Sequence, residues 1–165
     1  MLAVMDEILE LLQDNARLSV ADIAAMTQKD AREVEAAIRR LEDGGVILKY
    51  AAIVDPAKAG AKQAAVRAEI EIQVTPERER GFDAFAERIC RFPEVKSLYL
   101  MSGGYDLKAV IEGDSLQSVA SFIARKLSAL SGVKSTITCF ALKTYKENGV
   151  RYAAEERDPR EGVSA

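Results

Sequence analysis

The tripeptide VKS stands twice in the chain, and each copy closes an amphipathic segment and a turn, as RFPEVKS (91–97) and ALSGVKS (129–135). At that offset of 38 residues Phe85 meets Ile123, Ile89 meets Leu127 and Phe92 meets Leu130, so the apolar stripe repeats together with the motif. A repeat of this length is one supersecondary unit used twice.

Each unit reads as strand, helix, strand. AAVRAEIEIQV (64–74) alternates at period two, and Thr75-Pro76 opens a helix carrying Phe82, Phe85, Ile89 and Phe92 on one face. A strand follows Pro93. SGGYD (102–106) then supplies a glycine-containing hairpin into the strand LKAVIE (107–112). Asp114 caps a second helix with Val119, Phe122, Ile123 and Leu127 on its apolar face, Gly132 stops it, and VKSTITCFAL (133–142) is the last strand. Two such halves combine as βαββαβ, a ferredoxin-like antiparallel sheet with both helices on one face. The other face needs cover, and self-association supplies it.

The first 60 residues follow a different period. Leu2, Met5, Ile8, Leu9 and Leu12 recur at three- and four-residue spacing, giving a helix over 2–13 that Asp14-Asn15 ends. Ser19, three residues before Asp22, caps a short helix over about 20–26 with Val20, Ile23, Ala24 and Met26 as its apolar set. Asp30 caps a third helix whose stripe is Val34, Ala37, Ile38 and Leu41, and Gly44-Gly45 ends it. VILKYAAIV (46–54) reads as a strand or β-arm stopped by Asp55-Pro56. The expected class is α+β: a winged or tri-helical helix-turn-helix over 1–50, a strand and linker over 51–63, the βαββαβ domain over 64–147, and a charged tail over 148–165.

In a helix-turn-helix the third helix enters the major groove with the side opposite its core stripe. That side holds Arg32, Ala36 and Arg39, with Lys29 before the helix and Arg40 adjacent; the same charges also suit a plain solvated helix face. The charge balance opposes DNA contact. Residues 1–60 carry 7 Lys/Arg against 11 Asp/Glu, the most acidic part of a chain whose net charge is −3.

Other chemistry is thinly represented. Histidine is absent, which removes the commonest general acid/base and metal ligand. Cys90 and Cys139 lie in apolar amphipathic stretches without metal-site spacing and read as buried free thiols. No catalytic residue, metal or cofactor is expected. No apolar run suits a membrane span, and MLAVMDEILELL lacks the basic start of a signal peptide, so a cytoplasmic location is expected.

IRRLEDGGVI (38–47), the stretch up to Asp55-Pro56, and MSGGYDLKAVIEG (101–113) resemble the Lrp/AsnC family of bacterial and archaeal regulators over roughly residues 2–147. That resemblance implies a DNA-binding transcription regulator, with dimers assembling into tetramers or octamers and an amino acid or related metabolite bound between effector domains. Arg39, Arg40 and Leu41 match the end of the family's recognition helix, and Gly103, Tyr105 and Asp106 match its effector loop. The implied effector-binding set is Ser102, Gly103, Gly104, Tyr105 and Asp106. On residue chemistry alone the glycines equally suit a tight hairpin, and Tyr105 and Asp106 a packed and capped turn.

This chain departs from the family at Gln28-Lys29, which replace a usual Gly-Leu turn, and at Asp30, Glu33 and Glu35. Two alternatives accompany the regulator: a sensor or assembly partner with weak or lost DNA binding, and an enzyme like the sirohaem decarboxylases. The latter place His and Arg beside the tetrapyrrole, and His is missing here.

Overall fold

Three helices, α1 (Leu2–Asp14), α2 (Val20–Thr27) and α3 (Ala31–Asp43), bring one apolar stripe each to a shared core of Ile8, Leu12, Ile23, Ala24, Val34, Ala37 and Leu41. The computed structural model describes residues 2–55, 58–59, 66–76 and 81–152, with residues 2–5 by backbone alone. Ser19 caps α2 as the spacing requires: its Oγ accepts from the Asp22 N–H at 3.1 Å, and the Asp22 carboxylate accepts from the Ser19 N–H at 3.1 Å. Asp30 caps α3, accepting from the Arg32 N–H at 2.8 Å. Met26 is 57% exposed and does not join the core, because it lies beside the buried positions Ile23, Ala24 and Thr27 without sharing their side of α2.

The segment after α3 departs from expectation. Val46 and Ile47 N–H groups donate to the Leu41 carbonyl, and residues 47–55 run without a strand ladder. β propensity needs a neighbouring strand to become a strand, and this stretch has none within the described residues. Ile47 packs on the helical core, whereas Leu48, Tyr50, Ile53 and Val54 remain exposed.

The chain divides into two compact units, Met1–Val54 and Asp55–Ala165. The second is built on β1 (Val66–Val74), α4 (Asp83–Cys90), β2 (Val95–Leu100), β3 (Leu107–Gly113), α5 (Leu116–Phe122) and β4 (Val133–Phe140). The sheet order is β2-β3-β1-β4 with every neighbouring pair antiparallel, which is the ferredoxin-like arrangement. Ala68, Ile70, Ile72 and Val74 of β1 and Leu107, Ala109 and Ile111 of β3 are buried against Phe85, Ile89, Val119, Phe122 and Leu127 of the helices. The start of the first helix expected from Thr75-Pro76 lies partly outside the described residues. The two halves match in detail: register shifts beside Val95 and Val133 leave Lys96 and Lys134, the lysines of the two VKS motifs, as the extra residues of two β-bulges.

Four local readings change. Ser115, not Asp114, caps α5; its Oγ accepts from the Ser118 N–H and the Ser118 Oγ accepts from the Ser115 N–H, each at 3.1 Å, a reciprocal pair that an aspartate one residue earlier is out of step to make. Beyond Phe122 the helix widens into a π turn, Ile123–Leu127, in which Ser128 N–H donates to the Ile123 carbonyl at 2.8 Å. Both cysteines are exposed, Cys139 because it alternates onto the outward side of β4 and Cys90 because it ends α4 just past the buried Ile89. Asn148 to Tyr152, within the stretch read as a tail, belong to a hairpin of β5 (Lys146–Glu147) and β6 (Val150–Arg151). Asn148 and Gly149 turn it with φ of 46° and 83°, the Asn-Gly signature of a two-residue hairpin. Residues 153–165 lie outside the described residues.

Gly132, expected to stop the helix, has φ of 93°, and a Cβ there would meet the Phe85 ring at 2.4 Å, so conformation and packing both demand glycine. The outward face of the sheet is mixed, not apolar. One cross-strand row reads Tyr99, Lys108, Glu71 and Ile137, and the next Ser97, Val110, Glu69 and Cys139.

Candidate functional site

The turn between α2 and α3 sets the angle of the third helix. Gln28 ends α2 in the left-handed region, φ 55° and ψ 37°, and its N–H and that of Lys29 both donate to the Ala24 carbonyl. The position where the family commonly has glycine is therefore one whose backbone favours glycine, and glutamine occupies it here at a conformational cost.

Arg32, Ala36, Arg39 and Arg40 all lie exposed, away from the buried Val34, Ala37 and Leu41. Their electrostatic situations differ. Arg39 Nη2 is 2.7 Å from the Glu35 carboxylate one turn earlier, with both side chains more than half exposed. Such a pair holds only about 0.2–0.5 kcal/mol, little hindrance to exchange for a phosphate. Lys29 Nζ is turned back 2.7 Å onto Glu7 of α1, and only 18% of its side chain is exposed. It braces α1 against the turn. Arg32 and Arg40 have no ion-pair partner among the described residues.

The loop 102–106 stands at the end of β1, held from below. The Asp106 N–H donates to the Ile72 carbonyl at 3.1 Å, its carboxylate accepts from the Val74 N–H at 2.9 Å, and its carbonyl accepts from Met101 N–H at 2.8 Å. Asp106 thereby carries the β1–β3 ladder past its last regular pair. Gln73 Nε2 donates to the Gly104 carbonyl at 2.9 Å, while Ser135 Oγ donates to Gln73 Oε1 at 2.9 Å. These two loop supports escape sequence reasoning, since strand register alone brings 73 and 135 together.

Gly103 and Gly104 are unlike the other turn glycines. Neither has φ in the left-handed range, and a Cβ at either would meet nothing within 4 Å. The hairpin does not require them, contrary to the turn-only reading. Ser102 and both glycines are exposed and Tyr105 and Asp106 half-buried, so the five expected residues do form one contiguous surface feature.

Among the described residues no helix is long and apolar enough to cross a membrane, and no cluster of three or more side chains suits a metal ion. Residues 67–150 match the model of the Lrp/AsnC ligand binding domain, and residues 7–47 that of a winged helix-turn-helix DNA-binding domain. The HTH-type transcriptional regulator YugG of Bacillus subtilis is 46% identical over 158 residues, 96% of this chain and 95% of its own. Two crystal structures share the fold. An AsnC family transcriptional regulator from Agrobacterium tumefaciens has a TM-score of 0.69 at 25% identity, covering 87% of this chain and 92% of its own. A Neisseria meningitidis transcriptional regulator, solved as a complex with L-Met, has a TM-score of 0.68 at 24% identity, covering 87% and 91%. These are transcription regulators and not enzymes, which sets the tetrapyrrole-decarboxylase alternative aside. The chain belongs to the Lrp/AsnC family of transcription regulators, a DNA-binding helix-turn-helix joined to a ligand-binding domain.

Proposed function

We propose that this regulator binds specific DNA sites through residues 1–50 and changes that binding when an amino acid or related small metabolite occupies the 102–106 loop of a dimer or larger homo-oligomer formed by residues 64–147. The observation that carries the effector reading is the bare Gly103-Gly104 pair. Neither backbone strain nor packing within the chain calls for glycine there, and the pair leaves a stretch of backbone uncovered that a ligand can approach. Exposed N–H groups suit a carboxylate, and the Asp106 carboxylate lies at the same loop for an ammonium group. The L-Met complex of the Neisseria relative supports the ligand class.

A thermal-shift screen of the twenty amino acids on the full chain and on Gly104→Val tests this reading. One amino acid should stabilise the wild type, by about 2.7 kcal/mol at a hundredfold excess over its Kd. The variant should fold as well as the wild type, because its new Cβ meets nothing, and should lose the shift. If no amino acid shifts the wild type, the ligand class is wrong; an equal shift in both proteins places the site elsewhere.

On the DNA side we propose Arg32, Ala36, Arg39 and Arg40 as the contacting face of α3. Lys29, also expected there, reaches a phosphate only by releasing Glu7. The acidic balance of residues 1–60 supports weak binding per subunit, made useful by several units engaging spaced half-sites at once.

A further inference from the structure

Of the cations expected to face DNA, Arg32, Arg39 and Arg40 are exposed, whereas Lys29 is drawn into the protein. Its Nζ donates to the Glu7 carboxylate of α1 at 2.7 Å and to the Thr27 carbonyl at 3.5 Å, and only 18% of its side chain is exposed. Thr27 is the last residue of α2, where carbonyls without an intrahelical partner form a negative pole that favours a cation. A carboxylate and a helix end thus make a seat for the ammonium. Lysine heads ordinarily stay in water, so the covering of this one is the work of the seat. The Arg39–Glu35 pair has the same length but runs along one helix, with 71% and 52% of its side chains exposed.

The seat matters because of where Lys29 stands. It immediately precedes Asp30, the N-cap of α3, and the N-terminal residues of the third helix are those that reach base edges in a helix-turn-helix. That end otherwise presents Asp30, Arg32 and Glu33, all exposed, so its charge balance depends on whether Lys29 is counted. While Glu7 holds the ammonium, Lys29 offers no charge that a phosphate can use. Exchange requires no change of backbone, since the flexible four-carbon stem of a lysine can swing. It does require a phosphate oxygen within hydrogen-bond distance of Nζ, which DNA held loosely and free to slide does not keep there.

We propose, on the reading that α3 faces DNA, that Glu7 is an internal competitor for phosphate: it keeps Lys29 out of complexes with non-specific DNA and so lowers background affinity. Glu7 is then a specificity-determining residue that touches no DNA itself, acting through Lys29. Because non-specific sites vastly outnumber specific ones, weakening the former sharpens the choice of the latter.

The test is fluorescence anisotropy of the full chain on a labelled random-sequence duplex of about 30 base pairs, from about 50 to about 200 mM salt. Glu7→Gln should bind more tightly than wild type. Its plot of log K against log salt should steepen by about 0.9, so that its advantage falls about threefold across that range. Lys29→Met should keep the wild-type slope, because the lysine it removes is not on a phosphate, and Glu7→Gln combined with Lys29→Met should return to that slope. Glu10→Gln, which neutralises another exposed glutamate of α1, should leave the slope unchanged and thereby controls for net charge. The proposal is overturned by an unchanged slope in Glu7→Gln, the result expected of a mere brace, by an equal rise in Glu10→Gln, by a rise that survives Lys29→Met, or by a slope that falls by about one in Lys29→Met alone. Arg32→Ala combined with Arg39→Ala separates the two readings: a smaller slope there, with none of the rise in Glu7→Gln, sinks this inference and leaves the α3 interface standing.

Discussion

Gln28 is a side chain on a backbone suited to none. At φ 55° a non-glycine residue pays a steric cost between its Cβ and the following carbonyl, while glycine brings a larger entropy loss on folding. The steric term wins at a helix end in the left-handed region, so Gln28→Gly should stabilise the helical unit by about 0.5–1 kcal/mol. Chemical denaturation would reveal it as a higher midpoint at unchanged slope, and a lower midpoint would contradict the turn geometry. The arginines of α3 give a prediction of the opposite kind, silent in stability and visible in binding. Arg32→Ala combined with Arg39→Ala should leave folding within about 0.5 kcal/mol of wild type, as exposed positions do. DNA affinity should fall, and the slope of log K against log salt should shrink by about one per lost phosphate contact. An unchanged slope would remove these residues from the interface.

Charge-assisted bonds tie several elements together at their ends. Glu147 of β5 is bonded to Arg67 of β1 and accepts from Tyr152 OH at 3.1 Å, clasping the small hairpin to the sheet. The bond to Arg67 lowers the Glu147 carboxyl below its ordinary value, that to Lys126 does the same for Glu94, and the Ser19 hydroxyl does it for Asp22. A group depressed in the folded state adds stability above its unfolded value and loses it as pH falls through the folded one. The melting temperature should therefore stay level on acidification from neutrality and drop once pH passes below the ordinary glutamate value of 4.5. The hairpin should loosen first, since two-residue strands hold little else. Hydrogen exchange at Glu147 and Val150 that stayed as slow as in β1 at acid pH would rule out the clasp.

Over the whole molecule, the outward sheet face raises the question of association. Tyr99 and Ile137, on one cross-strand row with Lys108, are 52% and 60% exposed, and Lys108 pairs at 2.7 Å with Glu69 of the next row. Such a face is wettable enough for a folded single chain, yet its exposed aromatic and aliphatic groups with compensated charges suit a protein interface. Leu142 and Tyr145 beyond β4 add exposed apolar surface. Sedimentation of the full chain at micromolar concentration should give a dimer or larger species. A well-folded monomer would refute this and weaken the effector proposal, which places the ligand at the 102–106 loop of a homo-oligomer.

The chain's two periodicities, its capping residues and the doubled VKS unit were enough to determine three helices, a βαββαβ order and the core stripes, because these depend on spacing along the chain. Asn148-Gly149 carries the signature of a hairpin turn, but the charged residues around it led to the reading of a tail, and the hairpin of β5 and β6 came only with the structure. What tertiary structure decided are matters of partnership. Residues 46–54 have strand propensity but no ladder within the described residues, Lys29 is drawn to Glu7 twenty-two positions away, and Gln73 and Ser135 meet under the 102–106 loop through register. The open surroundings of Gly103 and Gly104 emerge only when distant segments are packed together, since they depend on what surrounds an atom in space.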